Sequence, residues 1–192
     1  MFACGRDFEV SESSGAGLKP VLLGLAMALA LAAGGTDWRW RRIPNWLTVP
    51  GLLVGIAVNA AASGLSGVKT SLLGAGLGLL LLLPFVLLRS LGAGDWKLAG
   101  ALGAIVGPGA LLDLLMGSIF VAGVMALLLV IYKRRVGETF RNIGGMLRSM
   151  LTFRMPGAEV SLDNPRSLKI PYGVALALTT LLFGLGKLTG RF

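Results

Sequence analysis

The chain has 192 residues, of which 55% are hydrophobic and only 14% charged, with a mean hydropathy of +0.79. Soluble domains carry about a quarter charged residues, so this balance is that of a membrane protein. Histidine is absent and Cys4 is the single cysteine, which excludes disulfide frameworks, CxxC-type zinc sites, His-based metal sites and Ser-His or Cys-His nucleophiles.

In chain order, residues 1–19 form a polar N-terminal tail, and residues 20–192 are expected to form one membrane-embedded domain. Six apolar stretches follow: 20–36, 47–63, 68–88, 96–112, 113–132 and 170–187. Most approach the roughly 20 residues needed to cross a hydrocarbon core. The first contains Ala28-Leu29-Ala30, which looks like a small-residue cleavage site. The tail before it carries Asp7, Glu9 and Glu12 against Arg6 and Lys19, not the basic start of a signal peptide, so a span is expected.

The fourth and fifth stretches run almost unbroken from Leu98 to Tyr132. As one helix they would be about 50 Å long, too long for one crossing. Gly107-Pro108-Gly109 supplies the break, and Asp113 is expected in or near a short turn. The 29 glycines fit helices packed closely in lipid.

The fold class expected is therefore an all-α, polytopic membrane protein with about six transmembrane helices. Charge supports that count. With the tail outside, the loops at 37–46, 89–97 and 133–169 face the cytoplasm and hold thirteen of the 18 Lys and Arg residues, as the positive-inside rule requires. The net charge of +9 thus finds its counter-charge in anionic membrane lipids, not in nucleic acid. Within 133–169, Phe140, Ile143, Leu147, Met150 and Leu151 recur at helical spacing and predict a short helix on the membrane surface, read as a tether in preference to a substrate-binding element.

Two acids stand out. Asp37 ends the first stretch just before Arg39, Arg41 and Arg42, and Asp95 closes Gly92-Ala93-Gly94-Asp95 between the third and fourth. Ionisable groups at the edge of hydrocarbon are functional candidates, and the predicted topology sets both at the cytoplasmic face. Two close carboxylates share one proton, so the ionised member can take a proton from water while the other hydrogen-bonds a carbonyl. Such chemistry needs no metal and no cofactor.

Simpler readings stand beside this one. On these, Asp95 is only a helix cap, and Asp37 only a partner of Arg39 or Arg41. Gly92 and Gly94 permit unusual backbone angles and a close substrate approach. Lys97 tunes Asp95 or snorkels to headgroups, the latter being favoured. Pro44 and Asn45 start the second helix, with Asn45 as a cap candidate, and Pro171 starts the last. Ser66, Lys69 and Ser71 raise a Ser-Lys hydrolase, but they lie at the opposite end of their spans with no cradle for an oxyanion.

Three segments carry a resemblance to a known family. They are Asp37 followed by Arg41-Arg42-Ile43-Pro44-Asn45-Trp46-Leu47-Thr48, then Gly92-Ala93-Gly94-Asp95-Trp96-Lys97-Leu98, then Ile170-Pro171-Tyr172-Gly173-Val174-Ala175. Together they resemble the type IV prepilin peptidases, membrane aspartyl proteases of the GxGD class. The match is to the short form of Flp/Tad pilus systems, which lacks the methyltransferase region.

The resemblance implies Asp37 and Asp95 as the catalytic pair, with Pro44, Asn45, Gly92, Gly94, Lys97, Pro171, Tyr172 and Gly173 as supporting motif residues. It implies a prepilin substrate, a Flp-type pilin or pseudopilin, cut at the cytoplasmic face of a bacterial inner membrane. Two rival functions are a proton-coupled small transporter, whose acids would lie near the bilayer midplane, and a non-catalytic subunit of a pilus or secretion assembly.

Overall fold

Long apolar runs in lipid leave the backbone few ways to satisfy its polar groups, and the helix is the local one. The computed structural model describes residues 20–88, 91–133 and 171–190, and its regular elements there are all helices. They are α1 (Pro20–Trp40), α2 (Asn45–Leu87), α3 (Ala93–Tyr132) and α4 (Tyr172–Leu188). The first three are long and apolar enough to cross a membrane, and α4 is a shorter apolar helix. The tail 1–19 and the expected surface helix in 133–169 lie outside the described residues, apart from Lys133.

Neither α2 nor α3 is a straight rod. Gly64 (φ 60°, ψ −140°) interrupts α2, and Gly107 (φ 80°, ψ 173°) interrupts α3. Both angles fall where glycine alone is at ease. Asn59 Nδ2 and Ser71 Oγ both donate to the Ala104 carbonyl, at 3.0 and 2.6 Å. Twelve residues of straight helix would hold them about 18 Å apart, so α2 doubles back at Gly64. A Cβ on Gly67 would collide with the Asn59 carbonyl, which shows how tight that reversal is.

At Gly107 the break predicted from Gly-Pro-Gly is present, but its register differs. Asp113 is not in a turn; it is an exposed residue inside the returning half of α3. The chain re-enters helix at once after Gly107, because proline is at ease in a first helical turn. Pro108 has no N–H, so the Ala104 carbonyl loses its partner along the helix. Asn59 and Ser71 supply that partner, and Asn59 also donates to Ile105 O at 3.0 Å and Gly55 O at 3.1 Å. Ser71 is fully buried in this role while Lys69 is exposed, so the residues of the Ser-Lys reading do not form a nucleophile.

The first half of α3 is the centre of the molecule: every residue from Leu98 to Gly107 is buried. α2 packs on it through small residues. A Cβ on Gly78 would lie 2.8 Å from Ala99 O, one on Gly55 2.7 Å from Ile105 Cγ1, and one on Gly74 would collide with Gly103 O. Close backbone approach of this kind is how helices gain packing energy in lipid. α1 and α4 pack similarly, Gly34 against Ala177.

Two substitutions on one helix separate packing from propensity. Gly74→Ala forces its methyl onto the Gly103 backbone, while Gly76→Ala meets nothing within 4 Å. Thermal unfolding in detergent is expected to show Gly74→Ala destabilised by about 1–3 kcal/mol and Gly76→Ala unchanged or stabilised by up to about 1 kcal/mol. In the same assay Asn59→Leu, which removes the bonds to the Gly55, Ala104 and Ile105 carbonyls, is expected to lose about 1–2 kcal/mol.

Candidate active site

The three motif segments meet at Ile43. Its buried side chain lies between two glycines: a Cβ on Gly94 would fall 3.0 Å from Ile43 Cβ, and one on Gly173 would fall 2.9 Å from Ile43 Cδ1. Neither Gly92 nor Gly94 has a positive φ. The sequence-based expectation of unusual backbone angles therefore gives way to one of space. Gly94 admits Ile43, and a Cβ on Gly92 would lie 2.8 Å from Asp95 Oδ2.

Asp37 lies in the last turn of α1 and is 6% exposed. The helix ends there because Arg41 takes a left-handed conformation (φ 50°) and its N–H donates to the Asp37 carbonyl at 2.8 Å, a helix-terminating contact usually given to glycine. That turn sets Arg41 within electrostatic reach of the Asp37 carboxylate. Asp95 is the third residue of α3, whose N-cap is Gly92. Its carboxylate turns back to the Gly92 N–H. The capping reading thus holds in part, in the manner of an acid at the third position of a helix.

One backbone amide serves both acids. The Gly173 N–H reaches the carboxylates of Asp37 and Asp95, and the Val174 N–H reaches that of Asp37. Gly173 and Val174 are the second and third residues of α4, at the positive end of the helix dipole, and the Val174 N–H also donates to Pro171 O at 3.2 Å. The two carboxylates lie within electrostatic reach of each other. Each still has one buried oxygen, Asp37 Oδ2 and Asp95 Oδ1, without a hydrogen-bond partner among the described residues.

Both acids line one cavity of about 300 Å³, together with Arg41, Arg42, Ile43, Asn45, Ala93, Gly94 and Lys97. Asn45 does not cap α2, since Pro44 occupies the N-cap position and no side-chain cap bond forms. Instead Asn45 Oδ1 accepts from Lys97 Nζ at 2.9 Å, tying the start of α2 to the start of α3. Lys97 thus braces two helix starts at the cavity's edge. Pro171 occupies the N-cap position of α4. Among the described residues, no group of three or more Cys, Asp or Glu is placed to hold a metal ion.

The sequence reading missed Trp96 and Ser118. Trp96 Nε1 donates to Leu79 O at 2.6 Å, fastening the start of α3 to the returning half of α2. Its place inside the Gly92–Leu98 motif was a signal. Ser118, twenty-three residues after Asp95, had none in the sequence, and it meets Tyr172 at 2.7 Å.

A model of the type IV leader peptidase family matches residues 24–130, a stretch that holds both aspartates. The chain belongs to the type IV leader peptidase family. No curated protein and no solved structure matches it. Membership makes the protein a protease of prepilin-type leaders, and its apolar helices make it an integral membrane protein. The Pro171–Gly173 segment lies beyond the matched stretch.

Gly173 is the position where a single methyl group tests this geometry. In Gly173→Ala the new Cβ would sit 2.9 Å from Asp37 Oδ2 and 3.1 Å from Asp37 Cβ. Displacements near 1 Å at a reacting centre lower rates by as much as about a hundredfold. Leader cleavage by this variant is expected to fall about tenfold or more, with an unchanged elution profile in detergent.

Proposed function

We propose that this type IV leader peptidase is an aspartyl endopeptidase that cleaves prepilin leaders with Asp37 and Asp95 as its catalytic dyad. The observation that carries the reading is the shared Gly173 amide, which brings carboxylates from α1 and α3 to one cavity. Two such carboxylates within electrostatic reach, Asp37 buried and Asp95 half-buried, hold one proton between them. The ionised member takes a proton from water as the water oxygen bonds to the scissile carbonyl carbon. The protonated member hydrogen-bonds the carbonyl oxygen. The tetrahedral intermediate then expels the amine, which receives a proton as the C–N bond breaks. The amides at the start of α4 hold the negative charge in place throughout.

The membrane setting follows the same reading. Taking the breaks at Gly64 and Gly107 as turns gives six crossings within a peptidase unit of residues 20–192. The cavity then faces the cytoplasm of a bacterial inner membrane. Arg39, Arg41, Arg42 and Lys97 beside it agree with the positive-inside rule. Trp38, Trp40 and Trp46 are exposed there, as residues at the headgroup level are. Both acids stand at helix ends, which favours an edge site over the midplane relay of a transporter.

A Flp-type pilin or pseudopilin fits as substrate. Arg41, Arg42 and Lys97 share the rim with the acids, so electrostatic attraction does not draw inward the basic leader that the family resemblance implies. Burial of the substrate's apolar helix against the spans supplies that binding.

Cleavage of a synthetic prepilin peptide by the purified protein tests the dyad. Asp37→Asn and Asp95→Asn are each expected to lower kcat by about a thousandfold or more, with the double variant no worse, because the pair acts as one unit. Normal cleavage by either single variant rejects the proposal. The wild-type rate is expected to rise with pH as the first proton leaves the pair and to fall as the second leaves. A profile that only rises would contradict one shared proton.

A further inference from the structure

We infer that Ser118 and Tyr172 are positioning residues for the active site, fixing where the Gly173 amide sits between the two aspartates. The inference rests on the dyad reading and extends it to a pair of residues that touch neither carboxylate through a hydrogen bond of their own. The Ser118 hydroxyl is completely buried and has a single proton, which it donates to the Leu115 carbonyl at 2.8 Å. Its contact with the Tyr172 hydroxyl at 2.7 Å is then made by its lone pairs, so Tyr172 is the donor. The direction of the chain is settled by that count: Tyr172 donates to Ser118, and Ser118 donates to α3.

The consequence is mechanical. Tyr172 is the first residue of α4 and Gly173 the second, so anchoring the phenol fixes the orientation of the next peptide group. Ser118 belongs to the returning half of α3, while Asp95 belongs to the half that precedes Gly107. The hairpin thus holds both ends of the device: one arm holds Asp95 and the other holds the tether for the amide that Asp95 accepts from. Farther along α4, packing is by apolar and small groups, Gly34 on Ala177 and Gly117 on Thr179 Cγ2. Such contacts hold the helix to its neighbours but specify the rotation of its first turn poorly, since packing is less directional than a hydrogen bond. The Ser118–Tyr172 bond supplies that rotation. Because the Gly173 amide touches the two carboxylates, loosening it is expected to act on the chemical step rather than on substrate binding.

The test uses the full-length protein in detergent micelles and a fluorogenic prepilin peptide, with kcat and KM measured separately. Tyr172→Phe and Ser118→Ala are each expected to lower kcat about five- to tenfold, the worth of one hydrogen bond, with KM unchanged within about twofold. The double variant is expected to match the worse single variant, because both remove the same bond. Wild-type kcat in either variant overturns the inference. So does a double variant whose loss is the product of the two, or a rise in KM at constant kcat. Thermal unfolding in the same micelles is the control: if both variants lose their folded transition, the bond serves folding and the inference falls. Asp37→Asn and Asp95→Asn run alongside. Their retention of full activity rejects the dyad itself, whereas their inactivity beside an unaffected Tyr172→Phe rejects only the positioning role.

Discussion

Much of this molecule depends on where the start of α4 points. A helix N-terminus presents N–H groups beyond its own ladder of hydrogen bonds, and here the Gly173 N–H is turned toward carboxylates from α1 and α3. Without that amide the two acids would be isolated burdens, Asp37 buried and Asp95 half-buried, each incompletely hydrogen-bonded. With it they share one environment, and Ile43 fills the remaining space between Gly94 and Gly173. The glycines of the second and third motif segments are thus explained by one side chain and one amide, not by unusual backbone angles.

The opposite end of the bundle solves a different problem with similar means. Turning a helix back on itself in lipid frees carbonyl groups that water cannot reach. Asn59 and Ser71 lie on either side of one reversal and close onto the carbonyls freed by the other. The two breaks therefore stabilise each other, and the central half of α3 is enclosed along its length by residues small enough to let backbones touch. This rigid centre is what sets Asp95 at a defined height relative to Asp37. A site made of side chains from distant segments requires such a scaffold, since small displacements at a reacting centre lower rates steeply.

Basic residues surround the cavity, yet they have separate physical duties. Arg41 ends α1 by taking a left-handed conformation at a cost of about 1 kcal/mol or more. That strain lies one turn from Asp37, where the chain must leave the helix immediately to bring Ile43 inward. Lys97 holds Asn45 and so braces the starts of α2 and α3 against each other. Their charge also suits a headgroup region, so structural and membrane-facing roles coincide on the same side chains.

By itself the sequence determined the helical, membrane-embedded class, the break at Gly107, the absence of histidine chemistry and the two acids worth attention. These are legible because they depend on composition, on local backbone preference and on motifs a few residues long. It misjudged the details that depend on register, giving Asp113 a turn, Asn45 a cap and Gly92 and Gly94 a conformational role. Only the tertiary structure decided that one amide of Gly173 serves both carboxylates, that Ser71 repairs a carbonyl freed by Pro108, and that Ser118 meets Tyr172 fifty-four residues away. Those relations arise from how helices pack and rotate against one another, and no local pattern along the chain encodes them.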